Sequence, residues 1–198
     1  MVTFDELFDG QRFMAILRGM APAEAVALAT RAWDLGIDLV EVPIQTPDAV
    51  ASLEAVVAAG RERGKRVGSG TVVTVEQVEA SASAGAAFTV APGTDGSVLD
   101  ASHRREMPHL PGVATATEVQ RAQALGVDWV KAFPAATLGT SWFRTMRGPF
   151  PGIRFVATGG MDAHNAEEFL ASGVSVVAVG SALSDPRQID LLSRYASA

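Results

Sequence analysis

The chain contains no cysteine, so neither a disulfide framework nor a thiolate metal site is open to it. Lysine is nearly absent as well: Lys65 and Lys131 are the only two, and arginine carries most of the positive charge. Chemistry that needs an amine nucleophile therefore has two candidates. No apolar run reaches the roughly 20 residues needed to span a bilayer. The first ten residues hold Asp5, Glu6 and Asp9 in place of the basic start and apolar stretch of a secretory signal, so a cytoplasmic protein is expected. The net charge of -6 is scattered, with no basic face of the kind that binds nucleic acid. The three histidines, His103, His109 and His164, form no cluster with carboxylates. They are read as structural or surface residues, and no metal is expected.

What is present is a repeating unit: a short apolar run, a turn, then an alanine-rich stretch of helical spacing that ends near glycine. The apolar runs are Phe13–Leu17, Leu39–Val42, Arg66–Gly68, Phe88–Ala91, His109–Leu110, Trp129–Ala132, Arg154–Ala157 and Val176–Val179. Helices are predicted over Pro22–Leu35, Asp48–Arg63, Val75–Ala84, Ser97–Arg105, Thr117–Leu125, Ser141–Arg147 and Asn165–Ala171, with a closing helix over Pro186–Tyr195. A short amphipathic segment, Thr3–Phe8, comes first. Thr46-Pro47-Asp48 offers a capping hydroxyl ahead of a proline at the first helical position, and Asp185-Pro186 repeats the device. Gly36, Gly85, Gly126 and Gly173 each follow a helical stretch, where glycine readily takes positive φ.

Strands that alternate with helices imply a parallel sheet. Eight units can close into a (β/α)8 TIM barrel, which leaves no strand edge unpaired. The alternative is an open doubly wound sheet, but no glycine-rich dinucleotide fingerprint follows the first strand. At 198 residues and 48% apolar composition, the chain suffices for one domain spanning residues 1–198. It is short for a barrel, which typically takes about 250 residues.

Barrel enzymes place their chemistry where strands end, so polar residues at those ends matter most. Lys131 interrupts Trp129-Val130-Lys131-Ala132-Phe133-Pro134. Buried in an apolar strand, an amine loses proton affinity and becomes fit for imine formation. On the surface it would instead extend its head into water or pair with an acid. Glu41 interrupts Leu39-Val40-Glu41-Val42-Pro43, with Leu39 and Glu41 on one face and the valines on the other. A general acid–base and an ion-pair partner are both open to it. Arg18 closes the first strand, where a guanidinium suits a carboxylate or phosphate, or an ion pair with Glu41. Gly68-Ser69-Gly70-Thr71 gives a ligand close backbone approach and one hydroxyl, or is merely a tight turn. Thr158-Gly159-Gly160-Met161 and Gly180-Ser181 follow the last two strands, where barrels commonly bind phosphate through backbone N–H groups.

These segments, in this order, carry a likeness that covers nearly the whole chain. Besides those above they include Ile16-Leu17-Arg18-Gly19, Ala91-Pro92-Gly93, Pro111-Gly112-Val113-Ala114-Thr115 and Lys131-Ala132-Phe133-Pro134-Ala135. The sequence resembles the class I aldolases that act on 2-keto-3-deoxy-6-phosphogluconate and 2-keto-3-deoxy-6-phosphogalactonate. The resemblance implies a homotrimeric barrel that uses no metal or organic cofactor and cleaves a phosphorylated keto acid to pyruvate and glyceraldehyde 3-phosphate. It assigns Lys131 as the Schiff-base residue and Glu41 as the acid–base. Arg18 and Thr71 would bind substrate, Pro92 and Phe133 would pack near the reacting carbons, and Thr115 would line the pocket. Gly159, Gly160, Gly180 and Ser181 would hold the phosphate. Many gluconate-type members carry arginine four residues beyond the glutamate. Here Gln45 stands there, which leans toward the galactonate substrate. Two rival functions are a phosphosugar isomerase or epimerase without covalent chemistry and a non-catalytic phosphosugar-binding barrel. The first leaves Lys131 unexplained.

Overall fold

The computed structural model describes residues 2–185 and 187–196. The strands are β1 (Phe13–Ile16), β2 (Leu39–Pro43), β3 (Val67–Gly70), β4 (Phe88–Val90), β5 (His109–Leu110), β6 (Gly112–Val113), β7 (Trp129–Ala132), β8 (Arg154–Thr158) and β9 (Val176–Val179). Neighbouring strands pair in parallel in the order β5-β4-β3-β2-β1-β9-β8-β7-β6. The two ends of that order are joined in sequence by Pro111 alone. Proline has no amide hydrogen, so the ladder is interrupted there and one stave is divided into β5 and β6. Across the break, Lys131 N donates to Pro111 O at 2.8 Å and Phe133 N to Val113 O at 3.0 Å. The ring therefore closes as eight parallel staves, a (β/α)8 barrel, and the open sheet is excluded.

The helices are α1 (Phe4–Phe8), α2 (Pro22–Asp34), α3 (Ala49–Glu62), α4 (Val75–Ala84), α5 (Gly96–Arg104), α6 (Ala116–Ala124), α7 (Ala135–Leu138), α8 (Thr140–Met146), α9 (Ala166–Ala171) and α10 (Arg187–Ala196). Most fall within a residue or two of the sequence expectation, because the glycine stop signals hold. Gly36, Gly85, Gly126 and Gly173 all have positive φ, between 78° and 97°. Two local readings need correction. Asp48, in right-handed helical geometry and without a side-chain bond, is the N-cap of α3, so Thr46-Pro47 lies in the turn before it. The short α7, directly after Phe133-Pro134, has too few residues to show a helical period. Pro186, and with it the second proline start signal, lies outside the described residues.

Alternation along each strand sorts the side chains into two cores. Phe13, Ala15, Val40, Val42, Val130, Ala132, Phe155, Ala157, Val177 and Val179 face the helices. Met14, Ile16, Leu39, Phe88, Val90, Leu110, Trp129, Val156, Val176 and Ala178 fill the barrel, joined by Phe4, Leu7 and Phe8 from α1. The α1 helix is set by a capping box in which Thr3 and Glu6 satisfy each other's backbone N–H groups. Arg154 also bridges Asp5 of α1 to Asp128, but both carboxylates are over half exposed. Such pairs contribute about 0–1 kcal/mol. Burying the three α1 side chains is worth roughly 1.5–3 kcal/mol each, so apolar packing holds this helix in place.

One polar network lies between sheet and helix. Ser102 Oγ donates to Met107 O at 3.0 Å, a carbonyl that can only accept. With its one proton so used, Ser102 accepts from Thr89 Oγ1 at 2.7 Å, and Thr89 accepts in turn from His109 Nδ1 at 2.8 Å. His109 thus carries its neutral-state proton on Nδ1. Burial, with the charge of His103 adding to it, pushes its pKa down to about 4. The unfolded chain then binds a proton near pH 6.5 that the folded chain refuses until about pH 4. Stability should fall by on the order of 3 kcal/mol from this residue as pH drops through that window. Urea midpoints at pH 7 and pH 4.5 check this, with His109→Gln expected to have the smaller acid loss.

Candidate active site

Lys131 lies on the inner face of β7, the same face as Trp129, while Val130 and Ala132 point out to the helices. Glu41 lies on the inner face of β2 with Leu39. In the ring of eight, β2 and β7 stand opposite each other, with three staves between them on either side. The two side chains therefore approach across the lumen rather than along the sheet. They have room because their neighbours are small. Gly68 pairs with Glu41, and Gly112 pairs with Lys131. A Cβ on Gly70 would stand 1.8 Å from Glu41 Oε1, and one on Gly112 would stand 2.1 Å from the Pro92 carbonyl. Neither position can carry a side chain without moving the site.

Both groups are buried, Glu41 at 0% exposure and Lys131 at 2%. Neither carboxylate oxygen of Glu41 has a hydrogen-bond partner, and no contact ion pair joins it to Lys131 or Arg18. Burial pushes the Glu41 pKa above the usual carboxylate range, opposed by the charges of Lys131 and Arg18. Burial pushes the Lys131 pKa below the usual ammonium range; Glu41 opposes this and Arg18 adds to it. Desolvation leads in both, so burial disfavours the charged form of each group while their mutual attraction opposes it. The Lys131 Nζ lies 5.5 Å from the centre of the Phe133 ring.

Above this pair, at the strand C-terminal ends, a cavity of about 220 Å³ gathers Ile16, Arg18, Phe133, Thr158, Gly159, Gly160, Met161, Gly180 and Ser181. Six of the residues singled out from the sequence thus share one space. Gly159 and Gly160 have φ of 94° and 73°, a region that disfavours other residues. A Cβ on Gly159 would also reach within 3.0 Å of the Phe133 ring. Ser181 opens a single 3-10 turn, Ser181–Ser184. Thr158 joins this lining with a buried hydroxyl that has no partner. Sequence reading passed over it in favour of the glycines that follow. The signal available was parity: Thr158 is two residues beyond the inward-facing Val156 on β8.

Three other candidates sit elsewhere. Thr71, just past β3, has φ of 58°, a strained value for a β-branched residue and a mark of functional sites. Pro92 borders a separate cavity of about 250 Å³ on the barrel flank, beside Val72, Thr94 and His109. Thr115 is the exposed N-cap of α6, where its hydroxyl accepts from Glu118 N at 3.3 Å and donates to Glu118 Oε2 at 3.0 Å. Neither Pro92 nor Thr115 lines the cavity that holds Arg18. Among the described residues, no group of three or more His, Asp or Glu side chains is placed to hold a metal ion.

The coupling across the lumen has a testable sign. The Glu41 charge holds the Lys131 pKa up, so removing it in Glu41→Gln should let that pKa fall further. Carbamoylation of Lys131 by cyanate, followed by peptide mass spectrometry, should then reach half-rate at a lower pH. Lys65, paired with Asp38 at 2.6 Å on the surface, should be unchanged.

A family model for KDPG and KHG aldolase matches residues 4–193. A probable 2-dehydro-3-deoxy-6-phosphogalactonate aldolase of Rhizobium meliloti is 34% identical over 174 residues, 87% of this chain and 82% of that protein. A 2-dehydro-3-deoxy-phosphogluconate aldolase of Treponema pallidum is 35% identical, covering 95% of this chain and 89% of its own. Among solved structures, the KDPG aldolase of Legionella pneumophila, with pyruvate captured as a covalent carbinolamine intermediate, superposes with a TM-score of 0.86. It is 28% identical and covers 99% of this chain and 97% of that one. A match over nearly the full chain, on a barrel of the same shape, leaves one conclusion: this protein belongs to the KDPG and KHG aldolase family.

Proposed function

We propose that the protein is a class I aldolase that cleaves a 2-keto-3-deoxy-6-phospho sugar acid to pyruvate and glyceraldehyde 3-phosphate. The observation that carries this reading is the buried, mutually facing Lys131 and Glu41 beneath a cavity lined by Arg18 and glycine turns. An isomerase or epimerase would have no use for the amine, and a binding barrel would have no use for the pair.

Neutral Lys131 attacks the substrate C2 ketone, and Glu41 moves the protons as the carbinolamine loses water. The resulting cationic imine is the electron sink. Glu41 takes the C4 hydroxyl proton, the C3–C4 bond breaks, and its electron pair passes into the imine to give an enamine. Glyceraldehyde 3-phosphate leaves. The enamine is protonated at C3, and water hydrolyses the imine to free pyruvate and regenerate Lys131. Arg18, Gly159, Gly160, Gly180 and Ser181 hold the phosphate. Thr71 meets the carboxylate and Phe133 borders the carbon chain, while Pro92 and Thr115 lie outside the cavity that holds Arg18. Anchoring the substrate at both ends keeps the reacting bond over the amine, where proximity supplies much of the rate.

Gln45, exposed just past β2, stands where many gluconate-type enzymes carry arginine, and it favours the galactonate isomer. We further propose one catalytic domain acting in the cytoplasm as a homotrimer. Val73 and Leu125, both exposed, offer apolar surface for that contact.

Borohydride reduction in the presence of pyruvate should add a stable adduct to Lys131 and none to Lys65. Lys131→Ala should lower pyruvate release from both phosphorylated sugar acids by at least about 10³-fold, since the covalent route is lost. An adduct on Lys65, or full turnover by Lys131→Ala, would refute the assignment.

A further inference from the structure

The lower mouth of the barrel, opposite the cavity that holds Arg18, is closed by α1. Phe4 meets Phe88 edge-on at 6.0 Å, and Phe8 meets Trp129 edge-on at 4.6 Å. Trp129 is two residues before Lys131 on β7, so both point into the lumen and the indole forms the floor beneath the amine. The indole is latched from outside the barrel. Its Nε1 donates to Asp5 Oδ1 at 2.7 Å, and the Arg154 guanidinium lies 4.8 Å from the ring while pairing with Asp5 and Asp128.

The lumen is therefore asymmetric. Across the lumen from the amine is Glu41 of β2, and Arg18 lies above them beyond β1. Below the amine, Phe4, Phe8, Phe88 and Trp129, with Leu7, Leu39 and Val176, form an apolar floor. Of the charged groups on that side, Asp5, Arg154 and Asp128 satisfy one another at the outer rim, and Glu6, Asp38, Lys65 and Arg66 line a separate cavity beside Leu7 and Leu39. Were the floor missing, water could approach the amine from below as well as from the glycine-lined mouth above.

We propose that α1 and Trp129 are positioning elements for Lys131: they seal the barrel from below and shield the amine from water on that side. This rests on reading Lys131 as the imine-forming residue. A floor that served stability alone would leave the pH dependence of imine formation where it is.

The test is pyruvate trapping by cyanoborohydride from pH 5 to 9, read as the Lys131 adduct by mass spectrometry, in wild type, Phe4→Ala/Phe8→Ala and Asp5→Ala. Water entering from below stabilises the ammonium, so the rising limb should move up by about one pH unit in the double variant. Trapping should fall at least five-fold at pH 7 and recover to within two-fold of wild type at pH 9. Asp5→Ala, which removes the indole's acceptor and one exposed Arg154 pair but leaves the Phe4 and Phe8 packing, should move the limb the same way by a smaller step. It decides the matter if the double variant does not fold. Loss of trapping by the same factor at every pH, or an unmoved limb in folded protein, would overturn the proposal. Absence of any Lys131 adduct in wild type would instead bring down the parent reading, and this one with it.

Discussion

Everything distinctive in this molecule depends on two buried ionisable side chains that face each other across the lumen with no ion pair between them. Buried charges are expensive unless paired and hydrogen-bonded. Here they are neither, and the penalty falls on the charged forms. Lys131 is driven toward the free amine and Glu41 toward the neutral acid. A contact ion pair would have stabilised the ammonium. Gly70 leaves the space that the Glu41 carboxyl occupies.

The barrel supplies this geometry at low cost to the rest of the fold. Closure pairs every strand edge, and the helix-facing core is continuous and apolar around the ring. That outer layer fixes the staves. The inner face can then give up packing in its upper half, where Gly68, Gly70, Gly112, Ala178 and Gly180 replace the bulky residues that usually fill a barrel. The lower half is filled by aromatic side chains and by α1. The same eight staves are solid at one end and hollow at the other.

Local costs gather at the hollow end. Thr71 adopts positive φ, and the hydroxyl of Thr158 and both oxygens of Glu41 are buried without partners. Elsewhere among the described residues, Trp33 Nε1 and His109 Nε2 are also buried without partners, while the His109 Nδ1 side runs through Thr89 and Ser102 to Met107 O. The unpaired oxygens of Glu41 and Thr158 are polar capacity that a ligand could satisfy.

The sequence by itself determined the fold class and the eight repeating units, and it singled out Lys131 as the candidate nucleophile. Helical and strand periods are local properties of the chain. Glycine stops are local too, because positive φ is a property of one residue. With only two lysines, an amine embedded in an apolar strand was conspicuous. Alternation also assigned Glu41 to the face opposite Val40 and Val42. Gly159, Gly160, Gly180 and Ser181 were legible from their places after the last strands, whereas Thr158 was hidden by its glycine neighbours. Only the tertiary structure decided that Lys131 and Glu41 stand on opposite staves, that Thr115 spends its hydroxyl on a helix cap, and that Pro92 borders a different cavity. These facts depend on where the ring closes and on which partner each polar group finds. Residues 41 and 131 are ninety apart along the chain, and no pattern of spacing encodes the distance across a barrel.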